Sequence, residues 1–173
     1  MEEWKGQAVL LEALGRLRHH TGWTLWMAGG AQRPSEARYL QSLRDAAERL
    51  GIADRVRFLG HRTDVPALLN LSDIFCQPNL APEPFGISLV EAMSAGLPVV
   101  TSAAGGALEI VNESCGVLVP AGDAAALAVA LERLILDSAE RQRLGRAGPS
   151  RAAELCDPTA QTRRFGALMK ELA

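Results

Sequence analysis

Apolar positions along the chain follow two periodicities that alternate. Leu10, Ala13, Leu14 and Leu17 recur at helical spacing, which predicts an amphipathic helix over roughly residues 5 to 19. "WTLWMAGG" at 23–30 reads as a buried strand ending in a glycine turn. "PSEARYLQSLRDAAERLG" at 34–51 reads as a helix with Pro34 and Ser35 at its start and Gly51 as its stop. A strand "RVRFLG" at 55–60 follows, then a short helix "DVPALLNLS" at 64–72 with Asp64 as cap and Pro66 in its first turn. "DIFCQPN" at 73–79 is the next strand, leading into a loop and a helix that stops at Gly96. "PVVTS" and "CGVLVP" are further strands, separated by the helical turn "GGALEIV". "GDAAALAVALERLILD" is a helix capped by Asp123, and the tail from Ser138 to Ala173 is helical with interruptions near Gly148-Pro149 and Asp157-Pro158.

Short apolar strands alternating with helices predict an α/β fold, a Rossmann-like parallel sheet with helices on both faces. The alternation opens on a helix. A doubly wound half opens on a strand that lies in the middle of the sheet, and the first seven residues cannot supply one. The expectation is therefore one domain over 1–173 that lacks its first central strand and is incomplete at its N-terminus. The strands on either side then have open edges, which predicts dimerisation (a homodimer through those edges), swapping or low stability.

Composition narrows the class. A chain of 173 residues with 48% hydrophobic residues, net charge −2 and pI near 5.9 has no basic footprint, which excludes a nucleic-acid binder. Cys76, Cys115 and Cys156 are odd in number, widely spaced and each in an apolar stretch, so they read as buried free thiols of a reducing compartment. No apolar run reaches the roughly eighteen residues of a membrane span, and "MEEWKGQ" is not a signal peptide. A cytoplasmic location follows as the expectation.

The chemistry concentrates in "PEPFGISLVEAMSAGLPVV" at 82–100. Pro82, Pro84 and Gly86 force an irregular turn just beyond a strand's C-terminal end, where open α/β sheets bind ligands. The helix that follows offers unpaired N–H groups of Phe85, Gly86, Ile87 and Ser88 and the positive end of its dipole, a site suited to phosphate. A generic helix start has the same pattern. Glu83 and Glu91 flank this turn, and a carboxylate at close range repels phosphate. Each is suited instead to hydroxyls on either side of the phosphates, Glu91 to a ribose and Glu83 to whatever lies beyond the distal phosphate. Their spacing alone says little, since Glu132 and Glu140 are equally far apart in an ordinary surface helix. No carboxylate triad or His-x-His set is present, so neither a metal nor another cofactor is expected.

"PEPFGISLVEAMSAGLPVVTS…GG…E" resembles the nucleotide-sugar-binding signature of family 4 glycosyltransferases, retaining enzymes of the GT-B architecture. The likeness extends to "WKGQAVLLEAL", "MAGG", "LGIADRVRFLGH" and "GVLVPAGDAAALAVAL", in order and over nearly the whole chain. It implies the C-terminal half of a GT-B fold, with Glu91 on the ribose and Glu83 on the donor sugar, and with the amides after Glu83 on sugar and diphosphate. Lys5 of "KG" matches the lysine that neutralises the diphosphate. Lys5 and Glu83 become the catalytic residues, while Gly29 and Gly30 let the nucleotide approach the first visible strand. Arg57, Phe58 and His61 stand where the base commonly stacks or meets backbone. The implied partner is an NDP-sugar donor of UDP or GDP type. The acceptor, a sugar or lipid, belongs to an N-terminal domain absent here, and the full-length enzyme is open to membrane association. Two departures stand out. The family's arginine five positions before the lysine falls before Met1, and Asn79 occupies a position more often held by serine. Two rival readings remain, a non-catalytic nucleotide-binding module and a nicotinamide-binding Rossmann domain. The latter lacks GxGxxG, since "MAGGAQ" does not match.

Overall fold

Apolar runs bounded by glycine or proline form short parallel strands. The computed structural model describes residues 1–171, with β1 (Leu25–Ala28), β2 (Val56–Gly60), β3 (Phe75–Gln77), β4 (Val99–Ser102) and β5 (Gly116–Val119). Around them lie α1 (Gln7–Arg16), α2 (Pro34–Arg49), α3 (Val65–Asn70), α4 (Ile87–Ser94), α5 (Ala107–Ile110), α6 (Ala124–Leu136), α7 (Ser138–Cys156) and α8 (Pro158–Glu171). Leu172 and Ala173, part of the predicted helical tail, lie outside the described residues.

All strand pairings are parallel, so the expected α/β class is present. β4 shows why "PVVTS" is apolar at consecutive positions. Val99 packs with α4, α5 and α7, whereas Val100 packs with α1 and α6 on the other face, and both are fully buried.

The strands form two sheets, β1-β2 and β3-β4-β5. Among the described residues no strand joins β1 to β3. Their facing edges line a cleft of ≈ 890 Å³ whose walls include Trp26, Met27, Phe75 and Cys76. This is the position expected for a first central strand. Desolvation in this wall pushes the Cys76 thiol up to about 12.

Several local expectations are corrected. The first helix does not run from residue 5. Glu3–Lys5 form a 3-10 turn, Gly6 turns left-handed with φ 72°, and α1 begins at Gln7. Asp64 lies at the start of α3 but does not cap it, because both its oxygens accept from the Arg62 guanidinium at 2.8 and 2.6 Å. Asp123 does cap α6, accepting from the amides of Ala125 and Ala126 at 2.9 Å each.

The break near Gly148-Pro149 is absent, and α7 runs through Pro149. Packing overrides the local signal here. A Cβ on Gly148 would lie 2.7 Å from the carbonyl of Met93, and one on Gly145 2.2 Å from that of Gly96. The two glycines let α7 press onto α4, and that contact holds the helix together across the missing N–H. The break at Asp157-Pro158 is present. Cys76, Cys115 and Cys156 are free thiols as expected, but Cys156 is exposed at the end of α7 and only Cys115 is fully enclosed.

Candidate functional site

The C-terminal edges of the strands carry the residues singled out above. Gly6 is the hinge that brings Lys5 there. Its backbone lies against Pro78 so closely that a Cβ would be 1.9 Å from the Pro78 carbonyl oxygen. The amide of Leu80 donates to the carbonyl of Trp4 at 2.7 Å, fastening the N-terminal turn to the end of β3. Lys5 is thereby aimed across the strand ends.

The Lys5 ammonium meets Glu83, with Nζ 2.8 Å from Oε2, and lies over the Trp4 ring at 4.0 Å. The same Glu83 oxygen accepts from the Asn79 amide at 3.0 Å and from the Gln77 amide at 3.4 Å. The hydroxyl of Ser88, in the first turn of α4, donates to the side-chain Oε1 of Gln77 at 3.1 Å. Gln77 thus ties the loop glutamate to the helix start. It was not legible as a site residue, although a polar side chain closing the apolar strand "DIFC" is its signal. Asn79 is buried and its Oδ1 has no partner, as is the Ser102 hydroxyl oxygen.

The loop around Glu83 is seated by the Gly-Gly pair after β4. The Glu83 carbonyl accepts from the Gly106 amide at 2.7 Å, and Glu83 bridges Gly105 in parallel fashion. A Cβ on Gly105 would lie 2.6 Å from the Glu83 carbonyl oxygen, and one on Gly106 2.9 Å from that of Phe85. Glycine is required at both positions for backbone to lie on backbone.

Gly86 is the N-cap of α4 and no side chain caps this helix. The Gly86 carbonyl accepts from Leu89 at 2.9 Å and Val90 at 3.3 Å. The amides of Phe85, Gly86, Ile87 and Ser88 donate to no acceptor among the described residues. Unpaired N–H groups at a helix start are suited to an anion, and Lys5 lies on the same strand-end edge, paired with Glu83. Glu91, a turn further on, is exposed and lines a cleft of ≈ 500 Å³ with Val65, Pro66, Phe85 and Ile87. That cleft has a mostly apolar lining and one carboxylate.

Gly29 and Gly30 reach the same edge. The Gly29 amide donates to the carbonyl of Gly60 at 2.8 Å, and Gly30 packs on His61. The chain's N-terminal ammonium, on Met1, donates to the Gly30 carbonyl at 2.6 Å. His61 is exposed beside them. Arg57 is not brought there. It lies at the beginning of β2, and its guanidinium donates to the carbonyl of Asp54 at 2.6 Å, away from the strand ends. Phe58 packs against the core beneath the Arg44 guanidinium, 4.6 Å from its ring. No described helix is long and apolar enough to cross a membrane.

Comparison with known proteins adds to this geometry. Residues 1–151 match the family described as glycosyl transferases group 1. Phosphatidyl-myo-inositol mannosyltransferase of Mycobacterium leprae is 38% identical over 151 residues, covering 85% of this chain and 38% of the relative. The crystal structure of Anabaena HepE in complex with UDP superposes with a TM-score of 0.88 at 32% identity, over 98% of this chain and 46% of that one. The C-terminal domain of a glycosyl transferase group 1 family protein from Francisella tularensis superposes with a TM-score of 0.81 at 25% identity, over 89% of this chain and 80% of that one. The chain therefore spans about two fifths of the length of the mannosyltransferase and most of an isolated C-terminal domain.

Proposed function

This chain belongs to the glycosyl transferases of group 1, and we propose that it is the donor-binding, C-terminal half of a retaining family 4 enzyme of GT-B architecture. One observation carries the reading: four unpaired amides at residues 85–88, next to the Lys5–Glu83 pair, at the C-terminal edge of a parallel sheet. A diphosphate there is met by the dipole of α4 and by the Lys5 ammonium. Three donors already occupy Oε2 of Glu83, so Oε1 is the oxygen left for the donor sugar's hydroxyls. Glu91 takes the ribose hydroxyls at the rim of its cleft.

The donor is an NDP-sugar. HepE has been crystallised with UDP and with UDP-glucose, which makes these the first probes and GDP the next. In transfer, the acceptor oxygen bonds to the anomeric carbon on the face from which the diphosphate leaves, the bond to the diphosphate oxygen breaks, and the hydroxyl proton passes to the departing diphosphate. Lys5 and the α4 amides stabilise the charge developing on the leaving oxygen, and Glu83 holds the sugar in place. The step needs no metal. The acceptor, a sugar or a lipid, is held by an N-terminal domain outside this chain. The setting is cytoplasmic, with any membrane association resting on that other domain.

A second reading is a nucleotide-binding module without turnover. Calorimetry with UDP, UDP-glucose, GDP and NAD separates the possibilities. Binding of a nucleoside diphosphate without binding of NAD is expected, and transfer appears only when the acceptor half is supplied. Binding of NAD, or of no nucleotide at all, sinks the proposal.

A further inference from the structure

Two histidines and a carboxylate converge at the far end of α1 from Lys5. His19 and His20 follow the C-terminal end of α1, and Glu132 stands in the C-terminal half of α6. His20 and Glu132 are 112 residues apart in sequence, so no motif announces the cluster. Nε2 of His20 lies 2.7 Å from Oε1 of Glu132, and Nε2 of His19 lies 4.0 Å from the same oxygen. The two imidazoles are tilted 44° with centroids 4.1 Å apart. One ligand atom from each of the three residues lies within 4.8 Å of the others.

A hydrogen bond from His20 satisfies Glu132 with one imidazole. It does not account for a second ring nitrogen turned toward the same carboxylate oxygen. We propose that His19, His20 and Glu132 bind a divalent transition-metal ion of the Zn²⁺ class, with water completing the shell. Imidazole nitrogen and carboxylate oxygen are the ligands such an ion takes, at about 2.0–2.2 Å. Tetrahedral ligands are then about 3.4 Å from one another. The 2.7 Å pair must open and the 4.0 Å pair must close, each by less than about 1 Å, and the two imidazole nitrogens, within 4.8 Å of each other, must close by at most about 1.4 Å.

The electrostatics of the place favour a cation. The C-terminal ends of α1 and α6 both point their partial negative charge toward it. Two of the arginines around it have partners of their own. Arg55 donates to the His20 carbonyl and lies 5.1 Å from the Trp23 ring, and Arg133 pairs with Glu140. The His20–Arg55 contact also holds the backbone that carries both imidazoles. At 1.5 Å per residue the ten residues of α1 put this cluster about 15 Å from the Lys5 end. The ion is thus a clamp between α1 and α6, independent of the donor site and of the chemistry proposed there.

The test uses chelator-stripped protein carrying Cys156→Ser, since the exposed thiol is the competing soft ligand. Titration with ZnCl₂ by calorimetry is expected to show about one ion per chain. Saturation, at about a hundredfold excess over Kd, raises the melting temperature by about 5 °C or more. Co²⁺ in its place gives a visible d–d band without thiolate charge transfer. His19 is exposed, so His19→Ala keeps the metal-free melting temperature while weakening the metal response at least about tenfold. Glu132→Gln does the same to the metal response. Absence of heat and of a Co²⁺ band in the parent protein overturns the proposal. So does a His19→Ala variant that binds as the parent does.

Discussion

Lys5 and Glu83 offer a test in which two substitutions at one ion pair act with opposite sign. In the unliganded protein the two are bonded at 2.8 Å with their side chains 25% and 13% exposed, between a surface pair and a buried one. Lys5→Met keeps an apolar stem against Trp4 and removes the ammonium. Glu83 then retains only the amide donors of Gln77 and Asn79. Discounted for solvent, the loss is about 1–2 kcal/mol, or roughly 2–8 °C in melting temperature for a chain of this size. Glu83→Gln keeps the shape and an accepting oxygen but loses the charge, at about 1 kcal/mol. Toward UDP the two diverge. Removing the lysine charge from beside a diphosphate weakens binding by about tenfold or more, equivalent to about 1.4 kcal/mol. Removing the carboxylate relieves repulsion and frees the ammonium, so UDP binds equally well or a few-fold more tightly. The same Glu83→Gln variant loses the extra affinity of UDP-glucose over UDP. Calorimetry with both ligands on the parent, the two single variants and the double variant measures each term and the coupling between them. If Glu83→Gln weakens UDP as much as Lys5→Met does, Glu83 contacts the diphosphate region and the assignment of sugar to Glu83 is wrong.

Other consequences are more local. Gly145→Ala puts a methyl 2.2 Å from the Gly96 carbonyl oxygen, backbone that cannot step aside, so α7 must lift from α4. A loss of at least about 3 kcal/mol in urea denaturation is expected, and a variant as stable as the parent refutes the packing argument. Asp123→Ala removes two hydrogen bonds from backbone amides at the start of α6 and costs about 1 kcal/mol, a fall of a few degrees in melting temperature. Near neutral pH, alkylation mapped by mass spectrometry is expected to modify exposed Cys156 quickly and Cys76 hardly at all. With the Cys76 thiol pushed from 9.0 to about 12, the unfolded chain loses its proton first. The associated stability is complete below about 9 and is lost as the pH rises toward 12. Self-association through the unpaired edges of β1 and β3 is the expected outcome, to be read by light scattering on a sizing column. A monodisperse monomer at high concentration contradicts that expectation.

The order of elements was readable because its signals are local. Apolar runs closed by glycine or proline at 55–60, 98–102 and 115–120 contain β2, β4 and β5, and Asp123 caps α6 as its side chain and position demand. Glu83, the amides at 85–88 and the paired glycines were legible as one stretch of chain. What the stretch does not contain is the company each group keeps. Lys5 is 78 residues from the carboxylate it meets, and the fit of Gly6 onto Pro78 with the Leu80–Trp4 backbone bond brings the two together. Gln77 joins the site through Ser88, and Arg57 leaves it for Asp54, choices made by side-chain rotation within a packed surround. Asp64 has the residue type of a helix cap, yet a guanidinium two positions away offers it a charged bond instead. Pro149 carries the strongest local breaker and is overruled by the close approach of α7 to α4. The sequence by itself therefore determined which segments are strands and helices, because backbone preference and periodicity are properties of neighbours along the chain. Which side chains meet, which cysteine is exposed and how two histidines come to face Glu132 were decided only by tertiary packing, which brings together groups that covalent order keeps apart.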